Sequence, residues 1–397
     1  MIADLHIHYP MHLVADPDKD LTLERMVRKR GRRRLWHLVL AVLLDFFSRL
    51  FNYRSFWSGP RVTAELMHEG GVRVGFSVLY APAKEFDLDE WYAPPRADDL
   101  AAIEELRDMV EAQVRTDDRQ WARVVSGRSE LHDALREDKV ALVHCLEGGF
   151  CLGASKNGIP DAVARLANSG LAYITPAHLL WRGVATNANA FPFLSDREYH
   201  RLFREPGEGL TEYGEALVRA MVANHVMVDV SHMSQKAIDE TFALLDELDP
   251  DRQVPVLATH VACRHDPGGL EYNVTEETVG RIAARRGIVG LIAGDHIVTD
   301  GYFPRRRGKR RTGSFQESVD TLCRHVDQIH AWIGTHDCTG IGTDLDGFIK
   351  PTLAGIESAR DLARLEEEIV RRYPADGENI CSGNALRILD SYWRPGT

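Results

Sequence analysis

The chain has 397 residues, 44% of them apolar and 27% charged, the balance of an ordinary globular protein. Its formal net charge of -11, with every histidine neutral, argues against a general nucleic-acid-binding surface, which needs a basic face. Six scattered cysteines with no C-x-x-C pair argue against a disulfide framework and read as reduced thiols in the core or near a site.

In chain order, the first apolar run spans 2–8. Neither a basic n-region nor an apolar h-region stands before it, so no signal peptide is read and a cytoplasmic protein is expected. Segment 11–60 follows and is too long for a simple connection. It carries the basic run Arg28-Lys29-Arg30-Gly31-Arg32-Arg33-Arg34 and then an apolar stretch from Leu35 to Phe51. On a helical wheel the polar residues His37, Asp45, Ser48, Arg49 and Asn52 share one stripe. The stretch is too short and too interrupted for a membrane span. Membrane-surface contact through 28–51 is one reading. A dimer contact or a lid ranks above it, and a homodimer is expected.

Further strand-like runs lie at 72–80, 140–146, 171–176, 225–231, 255–259, 287–293 and 339–344, which makes eight with the first. Helical patterns separate them at 98–116, 160–169, 211–224, 234–247, 275–285 and 315–332, and two more at 356–373 and 378–390 close the chain. Such alternation demands parallel strands with crossover helices, and eight units predict an α/β fold of the closed (β/α)8 barrel type. The expected organisation is one barrel domain over 1–397 with an insertion at about 11–60. A second basic run, from Arg305 to Arg311, follows the seventh strand. It reads as a solvated loop ahead of a device that gathers anionic substrate.

Metal-binding residue types recur where these strands end. The first carries His6 and His8, which share a face because alternate strand residues do. The third ends in His144-Cys145-Leu146-Glu147-Gly148-Gly149, the fifth in Asp229-Val230-Ser231-His232, the sixth in Thr259-His260 and the eighth in Thr343-Asp344-Leu345-Asp346. One such histidine is usually a hydrogen-bonded structural residue. The joint pattern, on the catalytic face of one barrel, points to divalent metals. A carboxylate can bridge two such ions, which together activate water, while a second carboxylate carries the proton. Asp295 and His296, after the seventh strand, read as structural ahead of substrate-side.

These motifs resemble the membrane dipeptidase (renal dipeptidase, peptidase family M19) branch of the amidohydrolase superfamily. The resemblance rests on Asp4-Leu5-His6-Ile7-His8, Glu147-Gly148-Gly149, Thr175-Pro176-Ala177-His178, the block from Gly209 to Ser234, Ala258-Thr259-His260, Asn273-Val274-Thr275 and Ile341 to Gly347. It implies two divalent ions, expected to be zinc. His6 and His8 would hold one ion, Glu147 would bridge, and His232 and His260 would hold the other. It further implies Asp344 as the acid/base residue, His178 on the substrate carbonyl or tetrahedral intermediate, and hydrolysis of a dipeptide by metal-activated hydroxide. Two positions depart from the family. His8 stands where the family usually has Asp. Tyr272 stands where the mammalian enzymes place an Arg that binds the dipeptide carboxylate, a charge that a phenol cannot replace. Arg264 and Arg182 are candidate substitutes, and N-acyl amino acids, lactones or cyclic amides stay open as substrates. A non-enzymatic barrel kept for binding or assembly is the remaining alternative.

Overall fold

The computed structural model describes residues 1–14, 60–81, 85, 99–153, 155–203, 205, 207, 209–265, 268–304, 309–347 and 351–395. The basic run at 28–34, the apolar stretch at 35–51 and residues 305–308 of the second basic run lie outside them. Among the described residues no helix is long and apolar enough to cross a membrane.

Among the described residues nine strands form one parallel sheet: β1 (Ile2–Ile7), β2 (Val72–Leu79), β3 (Ala122–Val125), β4 (Val140–Glu147), β5 (Tyr173–Thr175), β6 (Met227–Asp229), β7 (Val256–Val261), β8 (Ile288–Leu291) and β9 (Thr339–Ile341). The neighbour order is β2-β1-β9-β8-β7-β6-β5-β4, and the β2–β4 pairing, from Val74 opposite Ala141 to Leu79 opposite Leu146, closes the barrel. The eight expected strands are all present. β3 was not expected. It pairs with residues 140–143 of β4, whereas β5 pairs only with Leu146 and Glu147. Because β5 is three residues long, the start of β4 would otherwise leave backbone polar groups unpaired, and β3 supplies their partners.

The helices pack their apolar faces on this barrel. Helix Phe315–Ile333 buries Val319, Leu322, Val326 and Ile329, spaced three and four apart. Side-chain caps set the helix starts: Thr211, Ser234, Thr275 and Ser314 accept from the backbone N–H of Gly214, Ala237, Thr278 and Glu317. Each cap stabilises by about 1 kcal/mol. The last expected helix divides into a π turn, Asn379–Gly383, and an α-helix, Asn384–Tyr392.

Every strand of the sheet is parallel, so all the C-terminal ends open on one face. Close packing there depends on Gly342, where an added Cβ would stand 1.7 Å from the Thr259 carbonyl oxygen.

Candidate metal centre

His6 lies on β1 and His8 just past its end. Both are buried, and their rings stand edge to face with centroids 5.1 Å apart. Glu147 closes β4, and Gly148 turns the chain away from it at φ 91°, a backbone region open to glycine. His232 follows β6 at φ 65° and Asp344 follows β9 at φ 56°, two non-glycine residues in the left-handed region. That conformation costs on the order of 1 kcal/mol each and marks positions where the surrounding structure dictates side-chain direction.

Glu147 is the hub. Its Oε1 lies 3.2 Å from His6 Nε2, 3.4 Å from His232 Nε2 and 3.5 Å from His260 Nε2. Its Oε2 lies 3.5 Å from His8 Nε2 and 3.3 Å from His178 Nε2. Asp344 Oδ1 stands 3.0 Å from His8 Nε2 and 4.0 Å from His6 Nε2. Neither Glu147 oxygen accepts a well-aligned hydrogen bond, and His6 Nε2 and Asp344 Oδ2 are likewise buried without one. Among the described residues three triads bring ligand atoms close enough to share an ion: His6, Glu147 and His260; His6, His8 and Asp344; Glu147, His178 and His232.

The surrounding hydrogen bonds set the histidine tautomers. Tyr173 donates its one hydroxyl hydrogen to the Leu5 carbonyl oxygen at 2.9 Å, so it can only accept from His6 Nδ1, also at 2.9 Å. Thr259 donates to Asp229 Oδ2 at 2.7 Å and therefore accepts from His260 Nδ1 at 2.8 Å. In both rings Nδ1 is the donor to a hydroxyl, which leaves Nε2 as the edge that can bind a cation once it carries no proton. His260 Nε2 and His232 Nε2 stand 2.8 Å apart. With the His260 proton committed to Nδ1, its Nε2 can only accept, from a His232 Nε2–H or from a cation.

Charge points the same way. Burial alone would raise the Glu147 carboxyl, but His178 and His6 hold it well below the usual carboxylate range. Burial, helped by the charge of His6 and then His232, pushes His260 well down, and burial followed by His178 pushes His232 down. Burial lowers His178, but Glu147 and then Glu85 outweigh it and lift the ring to about 9. His232 and His260, held neutral beside an ionised carboxylate, are in the protonation state that metal ligation requires, whereas burial lowers His6 but the Glu147 carboxylate outweighs it and raises that ring. The donor set of imidazoles and carboxylates suits zinc or a similar divalent ion.

The structure therefore gathers His6, His8, Glu147, His178, His232, His260 and Asp344 into one cluster. Tyr272 joins it, with its hydroxyl donating to the His260 carbonyl oxygen at 2.9 Å and lying 3.4 Å from His232 Nε2. Arg182 is buried beside the cluster and donates to the Glu85 carbonyl oxygen. Arg264 lies farther along the loop after β7, its backbone N–H on the Val274 carbonyl oxygen and its side chain beside Gly269. Asp295 is a loop anchor: it accepts from the backbone N–H of Arg311 and from both the N–H and the hydroxyl of Thr312, while His296 bonds the Ala190 carbonyl oxygen. Their structural reading agrees with these contacts.

Sequence reasoning missed Glu85, Tyr80 and Tyr173. Glu85 is fully buried and bonds His178 Nδ1 at 2.5 Å, yet in sequence it sits among Asp87, Asp89 and Glu90 with nothing to single it out. Tyr173 looked like an ordinary apolar strand residue.

A model of the membrane dipeptidase family (peptidase family M19) matches residues 37–392. Dipeptidase 3 of Mus musculus is 25% identical over 341 residues, covering 85% of this chain and 59% of that one. The chain spans between 45% and 64% of the length of the curated relatives it matches. Two crystal structures share the fold, each with a TM-score of 0.69. Dipeptidase AC, a family M19 metallo peptidase, is 22% identical, with 99% of this chain and 98% of that one covered. A metallo peptidase from Rhodobacter sphaeroides, liganded with a phosphinate mimic of the dipeptide L-Ala-D-Ala, is 21% identical, with 99% of both covered.

Proposed function

The chain belongs to the membrane dipeptidase family, peptidase family M19, and from that membership we propose that it is a metal-dependent hydrolase of small peptides, with a dipeptide as substrate. One observation carries the reading: both oxygens of the buried Glu147 lack an aligned hydrogen bond, and each is faced by imidazole Nε2 atoms on its own side. Divalent ions, preferably a pair of zinc ions held in part by Glu147, would account for that arrangement. His6, His8, Glu147, His232 and His260 would hold the ions. When bound, such ions supply positive charge that polarises a carbonyl and activates water.

The chain's own groups do the rest. Asp344 presents a buried Oδ2 with no hydrogen-bond partner, fit to take a proton from water and hand it to the leaving amine. His178 turns Nε2 toward the same space and can donate to the oxygen of a carbonyl that is gaining negative charge. Burial of every one of these side chains excludes bulk water and strengthens their mutual fields.

A second reading changes the bond cleaved to that of an N-acyl amino acid, lactone or cyclic amide. It is favoured by Tyr272, whose hydroxyl is committed to the His260 carbonyl oxygen and brings no charge for a substrate carboxylate. Turnover by the zinc-loaded protein of L-L and L-D dipeptides, set against acylated amino acids and lactones, separates the two. Hydrolysis confined to the second group would replace the first reading.

A further inference from the structure

We propose that Glu85 is the positioning residue for His178, and so a part of the hydrolytic apparatus that acts without touching substrate; this rests on the peptidase reading above. A histidine ring offers two nitrogen edges, and rotation about its last torsion would exchange them. In this site one edge is claimed. Glu85 Oε2 meets His178 Nδ1 at 2.5 Å, and an ionised carboxylate can only accept, so Nδ1 carries the proton. Nε2 is thereby left pointing at Glu147 Oε2, 3.3 Å away.

Glu85 is itself held at both carboxylate oxygens and at its backbone carbonyl. Tyr80 donates its hydroxyl to Oε2 at 2.5 Å, the Leu180 backbone N–H donates to Oε1 at 2.7 Å, and Arg182 donates to the Glu85 carbonyl oxygen. Leu180 and Arg182 belong to the same loop as His178, so the carboxylate ties that loop and the imidazole together. The Tyr80 ring also meets His178 edge to face at 4.6 Å. Glu85 and Tyr80 are fully buried and His178 nearly so. A buried carboxylate bound by three separate donors is costly to install for loop anchoring alone, since one backbone N–H is satisfied by any neutral acceptor.

The test uses the full chain loaded with zinc. Glu85→Gln keeps a neutral acceptor for Leu180 and removes the charge that faces His178. Expected is wild-type metal content, a kcat lowered about tenfold to a hundredfold, and a KM moved by no more than about threefold. In a His178→Ala background the same substitution changes kcat by less than about twofold, because its effect runs through the ring. The low-field proton resonance of the imidazole–carboxylate bond is present in the wild type and absent from both single variants. Wild-type kcat in Glu85→Gln, equal losses in both backgrounds, or a resonance that survives in Glu85→Gln each overturns the assignment. If the wild-type chain hydrolyses no peptide, the peptidase reading falls, while the resonance still decides whether Glu85 holds His178.

Discussion

Asp4 accepts the backbone N–H of Thr343 at 2.9 Å and the Thr343 hydroxyl at 2.5 Å, and so joins the strand that carries His6 to the turn that carries Asp344. The same carboxylate accepts the His6 backbone N–H at 3.2 Å. Two parts of the candidate site, far apart in sequence, thus share one buried anchor. Asp4→Ala should lower stability by about 1–3 kcal/mol, because it strands the buried donors. It should also lower turnover by displacing Asp344. Asp4→Asn keeps one acceptor and should do less of both. Urea unfolding beside steady-state kinetics checks the ranking, and an Asp4→Asn variant as damaged as Asp4→Ala contradicts it.

Thr259 offers a sharper test of the tautomer argument. Thr259→Val keeps the shape but removes both the acceptor for His260 Nδ1 and the donor to Asp229. Metal affinity should fall about tenfold to a hundredfold, as is usual when the partner of a ligating histidine is lost. Thr259→Ser should restore it. Competition with a chromophoric chelator measures both, and unchanged affinity in Thr259→Val removes the role.

Asp344→Asn should keep its metal and lose about a hundredfold to ten-thousandfold in kcat, the usual range for a general acid/base group. Near-wild-type turnover on a verified substrate would show that the proton travels by another route.

His325, away from the cluster, contributes to the pH dependence of stability. His325 accepts the Cys263 backbone N–H on Nδ1 at 3.2 Å and donates from Nε2 to the Val298 carbonyl oxygen at 2.8 Å, so only the neutral ring fits. Burial pushes it down to about 4, against a smaller upward pull from the Val298 carbonyl. The unfolded chain binds this proton near pH 6.5 and the folded chain only near 4. Stability from this group is therefore complete above about 6.5 and is lost as pH falls toward 4, about 2 kcal/mol between pH 7 and 5. Urea unfolding at the two pH values should show that much less acid sensitivity in His325→Gln than in the wild type. Equal sensitivity in the two proteins contradicts the assignment.

Much of this was legible in the chain itself. Eight strands stood out because a parallel barrel buries both faces of each strand and leaves unbroken apolar runs. The candidate site stood out because His6, His8, Glu147, His232, His260 and Asp344 fall where those runs end. β3 did not, since four residues reading Ala-Arg-Val-Val carry no pattern until the shortness of β5 creates a use for them. Glu85 did not, because its role comes from being brought against His178 across 93 residues of chain. Tyr173 looked apolar, and only its hydroxyl, meeting Leu5 and His6 from across the barrel, shows what it does.

Elemental analysis of the purified chain decides whether Glu147 and its histidines hold divalent ions. After equilibration with zinc and removal of excess, the wild type should retain two divalent ions per chain. Glu147→Ala should retain fewer and should lose dipeptide hydrolysis with them. A wild-type chain that holds no divalent ion, or a Glu147→Ala variant that holds as many and turns over as fast, would contradict the account.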